Sequence, residues 1–213
     1  GLTRHWSAPI YCSPITARLV YRRLRVRSEL LRRIHVGERI RLPGGHVEAI
    51  DANHCPGALV LLFTLDDGRI VLHTGDFRYT PSMASSPPLA TALAGGRRLS
   101  LLYLDNTYLE PRHIFPTQQA VIDRVVEECR VLARCRKTLV LFGAYSIGKE
   151  RVFVAAAEAC NQRLHVSRER LETLSCLNFP PEVVARFTSD PTAARWGVVP
   201  MNHMRFDRMR ERV

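Results

Sequence analysis

The 213-residue chain is 46% hydrophobic and 24% charged, the balance of a folded globular protein with material for one large domain or two small ones. No apolar run approaches the roughly 20 residues that cross a bilayer as a helix, and no membrane partner is expected. Its 31 basic and 20 acidic residues leave a formal charge of +11, which favours polyanionic partners, although arginine-rich codon usage would produce the same balance.

In chain order, residues 8–12 read as a short strand. Ser13 can then cap a helix with Pro14 in its first position, continued by Ile15, Leu19, Val20 and Leu24. Arg18, Arg22, Arg23, Arg25, Arg27, Arg32 and Arg33 crowd this region. Such a run means either a solvated helix face or a surface that tracks phosphates. Strands are expected at 47–50, 59–65 and 69–73, the last two joined by the turn Asp66-Asp-Gly68. Residues 80–98, rich in proline and serine, read as a loop with a short helix, and 99–104 as a buried strand ending at Asp105. Pro116-Thr117 opens a helix through Val121, Val125 and Leu132. A strand at 138–142, a glycine loop at 143–148 and a helix at 149–160 follow, then shorter pieces at 164–166, 167–174, 181–187 and 198–201. This alternation predicts an α/β architecture.

The six cysteines (Cys12, Cys55, Cys129, Cys135, Cys160 and Cys176) form no Cys-x-x-Cys pair. Cys129, Cys135 and Cys160 fall inside apolar patterns, so they read as buried, reduced thiols. The chain starts at Gly1-Leu2 without methionine, which suggests processing or a fragment.

The segment Asp51-Ala-Asn-His-Cys-Pro-Gly57 and the later His73-Thr-Gly-Asp76-Phe-Arg78 flank the expected hairpin. His54 enters it and Asp76 leaves it, so both belong at one end. A neutral imidazole and a carboxylate on convergent loops suit zinc, manganese or iron, with one or two further ligands supplied from elsewhere. The plainer alternatives are a capping histidine at 54, a turn aspartate at 76 and a cap at Asp105. Cys55 reads as a small packing residue rather than a thiolate ligand, and His73 as hydrogen-bonded packing.

Gly143-Ala-Tyr-Ser-Ile-Gly148-Lys149-Glu150 matches G-x-x-x-x-G-K between a strand and a helix. Glu150 stands where a P-loop needs Ser or Thr for magnesium, and a carboxylate there would repel a triphosphate. A nucleotide triphosphatase is therefore disfavoured. Ser146, Gly148 and Lys149 remain candidates for holding one phosphate of DNA at a helix N-terminus, against the alternative of a tight turn with a solvated lysine.

These stretches, with Tyr11-Cys-Ser-Pro-Ile-Thr16, Leu102-Tyr-Leu-Asp-Asn-Thr-Tyr108 and Val199-Pro-Met201, resemble the metallo-β-lactamase/β-CASP nucleases of DNA cross-link repair, the group of Artemis and Apollo. The resemblance implies a partial metallo-β-lactamase αββα sandwich over residues 1–108 and the start of a β-CASP domain over 109–213. It implies His54 and Asp76 as metal ligands, Asp105 as a catalytic-site acidic residue near the metals that supports a later catalytic histidine, and one or two divalent ions, zinc before magnesium or manganese. The implied reaction is metal-assisted phosphodiester hydrolysis, a 5′-to-3′ DNA exonuclease acting in the nucleus on single-stranded or 5′-phosphorylated ends, with repair proteins as further partners. The family's His-x-His-x-Asp-His motif and its later β-CASP histidine are absent from the 213 residues, so the chain reads as a fragment that is inactive alone. The competing classes are a non-catalytic relative that binds nucleic acid or protein, and a ribonuclease or other hydrolase of the superfamily.

Overall fold

Apolar strands with alternating burial build the first half of the chain. β1 (Ile10–Cys12), α1 (Pro14–Leu24) and β2 (Leu31–Arg33) form a parallel β-α-β unit, with Ile10 opposite Leu31 and Cys12 opposite Arg33. Ser13 caps α1 through a bond from the Thr16 backbone N–H, Pro14 takes the first turn, and Arg25 ends the helix in the left-handed conformation. A five-stranded sheet follows in the order β3 (Arg39–Leu42), β4 (Gly45–Asp51), β5 (Leu59–Leu65), β6 (Ile70–His73), β7 (Leu101–Tyr103). Pairing is antiparallel from β3 to β6, and β7 joins β6 in parallel.

Both faces of this sheet are covered, because successive side chains alternate between them. On one face Val47 and Ala49 of β4 pack with Ile34, flanked by Leu59, Leu61 and Phe63 of β5. On the other, Val60 and Leu62 of β5 and Ile70 of β6 meet Leu89 and Ala92. Those two belong to α3 (Pro87–Ala92), which follows the single-turn α2 (Pro81–Ala84), so the stretch read as a loop with one short helix holds two. β2 and β3 had no counterpart in the sequence reading: exposed Arg32, Arg33, Arg39 and Arg41 mask their apolar pattern. The segment 99–104 corrects another expectation. Its strand is three residues long and lies exposed at the sheet edge, with Leu101, Leu102 and Tyr103 at 46%, 45% and 52% exposure.

The structure, a computed structural model, describes residues 2–205. The chain divides into two compact units, Gly1–His113 and Ile114–Val213. In the second unit α4 (Gln118–Ala133) starts from a Thr117 cap, as the sequence indicated. After it come β8 (Val140–Ala144), α5 (Glu150–Ala159), β9 (Leu164–His165), α6 (Arg168–Leu174), α7 (Pro181–Val184), β10 (Phe187–Thr188) and β11 (Trp196–Pro200). Its four strands are all parallel, in the order β10-β9-β11-β8. Such sheets are buried on both faces, and Trp196, Val198 and Val199 are accordingly almost inaccessible.

Cys129 and Cys176 are buried, but Cys135 is exposed just beyond α4 and Cys160 is half-buried, so the expectation of three buried thiols holds for Cys129 alone. Among the described residues no helix is long and apolar enough to cross a membrane.

Candidate functional site

The loop from Ala52 to Ala58, between β4 and β5, is pinned from three sides. The Asp51 carboxylate accepts from the Asn53 N–H at 2.6 Å, and Asn53 adopts a left-handed φ of 51°. The Arg78 N–H donates to the Ala52 carbonyl at 2.9 Å, while the Asn53 amide donates back to the Arg78 carbonyl at 3.3 Å. The loop is thereby tied to the segment leaving β6. From the third side, the Thr16 hydroxyl of α1 donates to the Gly57 carbonyl at 3.3 Å. Gly57 has φ of 88°, and a Cβ there would sit 2.7 Å from the Ser13 hydroxyl, so α1 can approach because residue 57 has no side chain.

This scaffold brings His54 Nε2 to 3.9 Å from Asp76 Oδ2, with side-chain exposures of 41% and 82%. Two ligands of one tetrahedral zinc ion at about 2.0–2.2 Å lie about 3.4 Å apart, so the donor types suit a divalent cation and the pair stands about half an ångström wider than that geometry.

Asp105 joins them from the end of β7. Its backbone N–H donates to the Thr74 hydroxyl at 3.0 Å, and the Thr74 N–H donates to the Tyr103 carbonyl at 3.0 Å. Thr74 is 3% exposed and thus bolts the two loops together. The Asp105 carboxylate accepts from the Thr107 hydroxyl at 2.6 Å and from its N–H at 3.0 Å. Those two bonds hold its pKa below the ordinary carboxylate value, assisted by the field of the His54 imidazole and an N–H from Phe77. His54, Asp76 and Asp105 therefore share one corner of the first unit.

Other residues are placed differently. His73 accepts from the Gly75 N–H through Nδ1 at 3.0 Å and stacks on Tyr103 with ring centroids 5.3 Å apart, so it shapes the turn. The Cys55 carbonyl closes a turn by accepting from the Ala58 N–H. Among the described residues no group of three or more His, Cys, Asp or Glu side chains is arranged to hold a metal ion. The sequence reading named Ser13 as a helix cap and missed Thr16 and Thr74 as supports. Thr74 lay inside the quoted His-Thr-Gly-Asp stretch, where a threonine between strand end and turn was the available signal.

The glycine loop lies in the second unit and departs from the anion-cradle expectation. The Gly148 N–H donates to both carboxylate oxygens of Glu150, at 2.8 and 2.9 Å, and Glu150 is 2% exposed. The chain's own carboxylate thus occupies the position an anion would take, which corrects the reading of Gly148 as a phosphate donor. Burial pushes the Glu150 pKa up, opposed by its own and the Gly148 backbone N–H groups and by Arg170. Lys149, left-handed at φ 68°, sets its ammonium 5.7 Å over the Tyr145 ring and 3.4 Å from the Met201 sulfur; Ser146 is exposed.

Comparison with solved structures finds the same mixed α/β fold elsewhere. A protein of unknown function from Enterococcus faecalis V583 superposes over 94% of this chain and 54% of its own, with a TM-score of 0.59 at 17% identity. No family model matches. Relatives carry the assignment further. The chain is 38% identical over 207 residues to human DNA cross-link repair 1A protein, covering 97% of this chain and 19% of that protein. It is 36% identical over 213 residues to DNA cross-link repair protein SNM1 of Arabidopsis thaliana, covering 99% and 43%. It is 38% identical over 209 residues to 5′ exonuclease Apollo of Gallus gallus, covering 97% and 43%. Over nearly its whole length the chain is similar to these SNM1 and Apollo proteins of the DNA cross-link repair group. It spans less than half the length of these three relatives.

Proposed function

We propose that the protein is a metal-dependent DNA nuclease of cross-link repair, a 5′ exonuclease built on a metallo-β-lactamase sandwich followed by a β-CASP domain and acting in the nucleus. The observation that carries the reading is the convergence of His54 and Asp76 at 3.9 Å with Asp105 beside them, in a chain similar over 97% of its length to relatives named as a cross-link repair protein and a 5′ exonuclease. His54 and Asp76 would hold a divalent ion, zinc before manganese or magnesium. Such an ion supplies Lewis acidity, activating water and stabilising the charge that develops on phosphorus.

The chain's own residues do the rest. Thr107 holds the Asp105 carboxylate in place and lowers its pKa, so Asp105 can orient a neighbouring imidazole or accept a proton. Thr74 and Gly57 fix the two loops, which matters because small displacements of reacting groups cost rate steeply. One imidazole and one carboxylate leave a tetrahedral ion short of ligands. The 213-residue chain alone therefore holds metal weakly and turns over little.

A nuclease assay on a 5′-phosphorylated single-stranded oligonucleotide tests both statements. In the intact gene product, His54→Ala and Asp76→Asn are expected to abolish cleavage; a fully active Asp76→Asn enzyme sinks the site. Robust Asp76-dependent cleavage by the chain alone overturns its predicted inactivity. Salt-dependent DNA binding without cleavage by the intact product instead identifies a non-catalytic relative.

A further inference from the structure

The turn that carries Asp76 is anchored on both sides. Before it, buried Thr74 donates its N–H to the Tyr103 carbonyl and accepts from the Asp105 N–H, each at 3.0 Å. After it, the Phe77 N–H reaches the Asp105 carboxylate, and the Arg78 N–H donates to the Ala52 carbonyl at 2.9 Å. Gly75 and Asp76 lie between these anchors. The Asp76 side chain is 82% exposed and, among the described residues, meets His54 at 3.9 Å. Its direction therefore follows the backbone of Gly75, a left-handed residue at φ 54° with the freedom of a glycine.

Both peptide groups of Gly75 are held. The Thr74 hydroxyl donates to its carbonyl at 2.8 Å, and its N–H donates to His73 Nδ1 at 3.0 Å. The second bond joins residues i and i+2, the spacing of an Asx turn. Accepting at Nδ1 leaves the proton of a neutral imidazole on Nε2. The ring is braced in that orientation, because it stacks on Tyr103 with centroids 5.3 Å and planes 26° apart. Sheet register supplies the brace: β6 and β7 pair in parallel with His73 opposite Tyr103. Tyr103 stands two residues before Asp105, so one stack links the strand ends that lead to Asp76 and Asp105. Burial does not impose these contacts, since both rings are exposed.

We infer that His73 is a positioning residue for the reaction: its Nδ1 bond to the Gly75 N–H, braced by Tyr103, fixes the turn that directs Asp76 toward His54. The inference rests on the nuclease reading above and adds a residue that acts through Asp76. A carboxylate on a loosened turn meets a cation in fewer productive geometries, so metal affinity and kcat fall together.

His73→Phe and His73→Asn separate the bond from the stack. Phenylalanine can stack on Tyr103 but accepts no hydrogen bond, whereas asparagine can accept from the N–H two residues on without an aromatic ring. In the intact gene product, His73→Phe is expected to lose about 10–100-fold in zinc affinity, measured by chelator competition, and in kcat on a 5′-phosphorylated oligonucleotide, with KM held. His73→Asn should recover most of both losses. Amide hydrogen exchange at Gly75 in the 213-residue chain reads the turn without metal or substrate, and should speed up in the phenylalanine variant alone. Wild-type zinc affinity and kcat in His73→Phe, or equal losses in the two variants, overturn the inference. Asp76→Asn separates the two failures. If it is inactive while His73→Phe is unimpaired, only the role of His73 falls. If it cleaves and binds zinc as the wild type does, the metal site falls and the positioning role with it.

Discussion

β7 and β11 carry nearly the same chemistry and meet opposite fates. Leu101-Leu-Tyr103 and Trp196-Gly-Val-Val-Pro200 both read as apolar runs suited to a buried strand. β11 sits between β9 and β8 in a parallel sheet, and its first four residues are buried. β7 is the last strand of its sheet and all three of its residues are exposed. Composition states that a strand can be buried; its place in the sheet order states whether it is.

Substitutions in the two strands should separate that difference by size. Trp196→Ala removes the largest fully buried side chain of the protein, which packs on Phe142 at 6.1 Å between ring centroids. It should destabilise the chain by about 3–5 kcal/mol in urea unfolding. Leu102→Ser at the β7 edge should shift stability by less than about 1 kcal/mol and reduce self-association in sedimentation velocity, since an exposed apolar edge invites pairing. Equal destabilisation by the two substitutions would refute the contrast.

Between these in size lies Gly57→Ala. Its Cβ meets Ser13 at a left-handed φ, and a cost of about 1–3 kcal/mol is expected. Because the displaced loop carries His54, metal affinity should fall along with stability. Isothermal titration with zinc that shows no change would separate the α1 support from the candidate site.

The smallest effects set the carboxylates of the two units against each other. Thr107 lowers the Asp105 pKa, so the stability this contact contributes is present at neutral pH and lost as pH falls through the lowered value. Thr107→Ala should move that titration back up in a 13C carboxyl NMR experiment. Burial raises the Glu150 pKa, so the wild type loses stability as pH rises from the ordinary glutamate value through the raised one. Glu150→Gln lacks that loss, and its stability relative to wild type should increase from pH 4 to pH 7 in urea unfolding. A constant difference would show that folding leaves the Glu150 pKa unshifted.

Much of this molecule was legible in advance where local physics governs. Ser13, Pro14 and Thr117 announced their helix ends, because caps act within a few residues. The 59–65 strand and the returning strand to His73 matched their pattern, since two-residue alternation sets the face of each side chain. β2 and β3 stayed hidden behind arginines, and the burial of 99–104 was misjudged, because neighbours in the sheet are supplied by distant sequence. Within the site, the convergence of His54 and Asp76 followed from the hairpin they flank. Thr16 and Thr74 were missed as supports, since the bonds that give them that role form only once β7 and α1 lie against the two loops.

The sequence by itself therefore determined the helix starts, the hairpin and the residues that would meet at its end, all consequences of spacing and of near neighbours along the chain. Tertiary structure decided which apolar strand is covered, which glutamate is buried, and how Asp105 comes beside His54. Each of those depends on segments far apart in the chain reaching hydrogen-bonding or packing distance, and no local pattern encodes that.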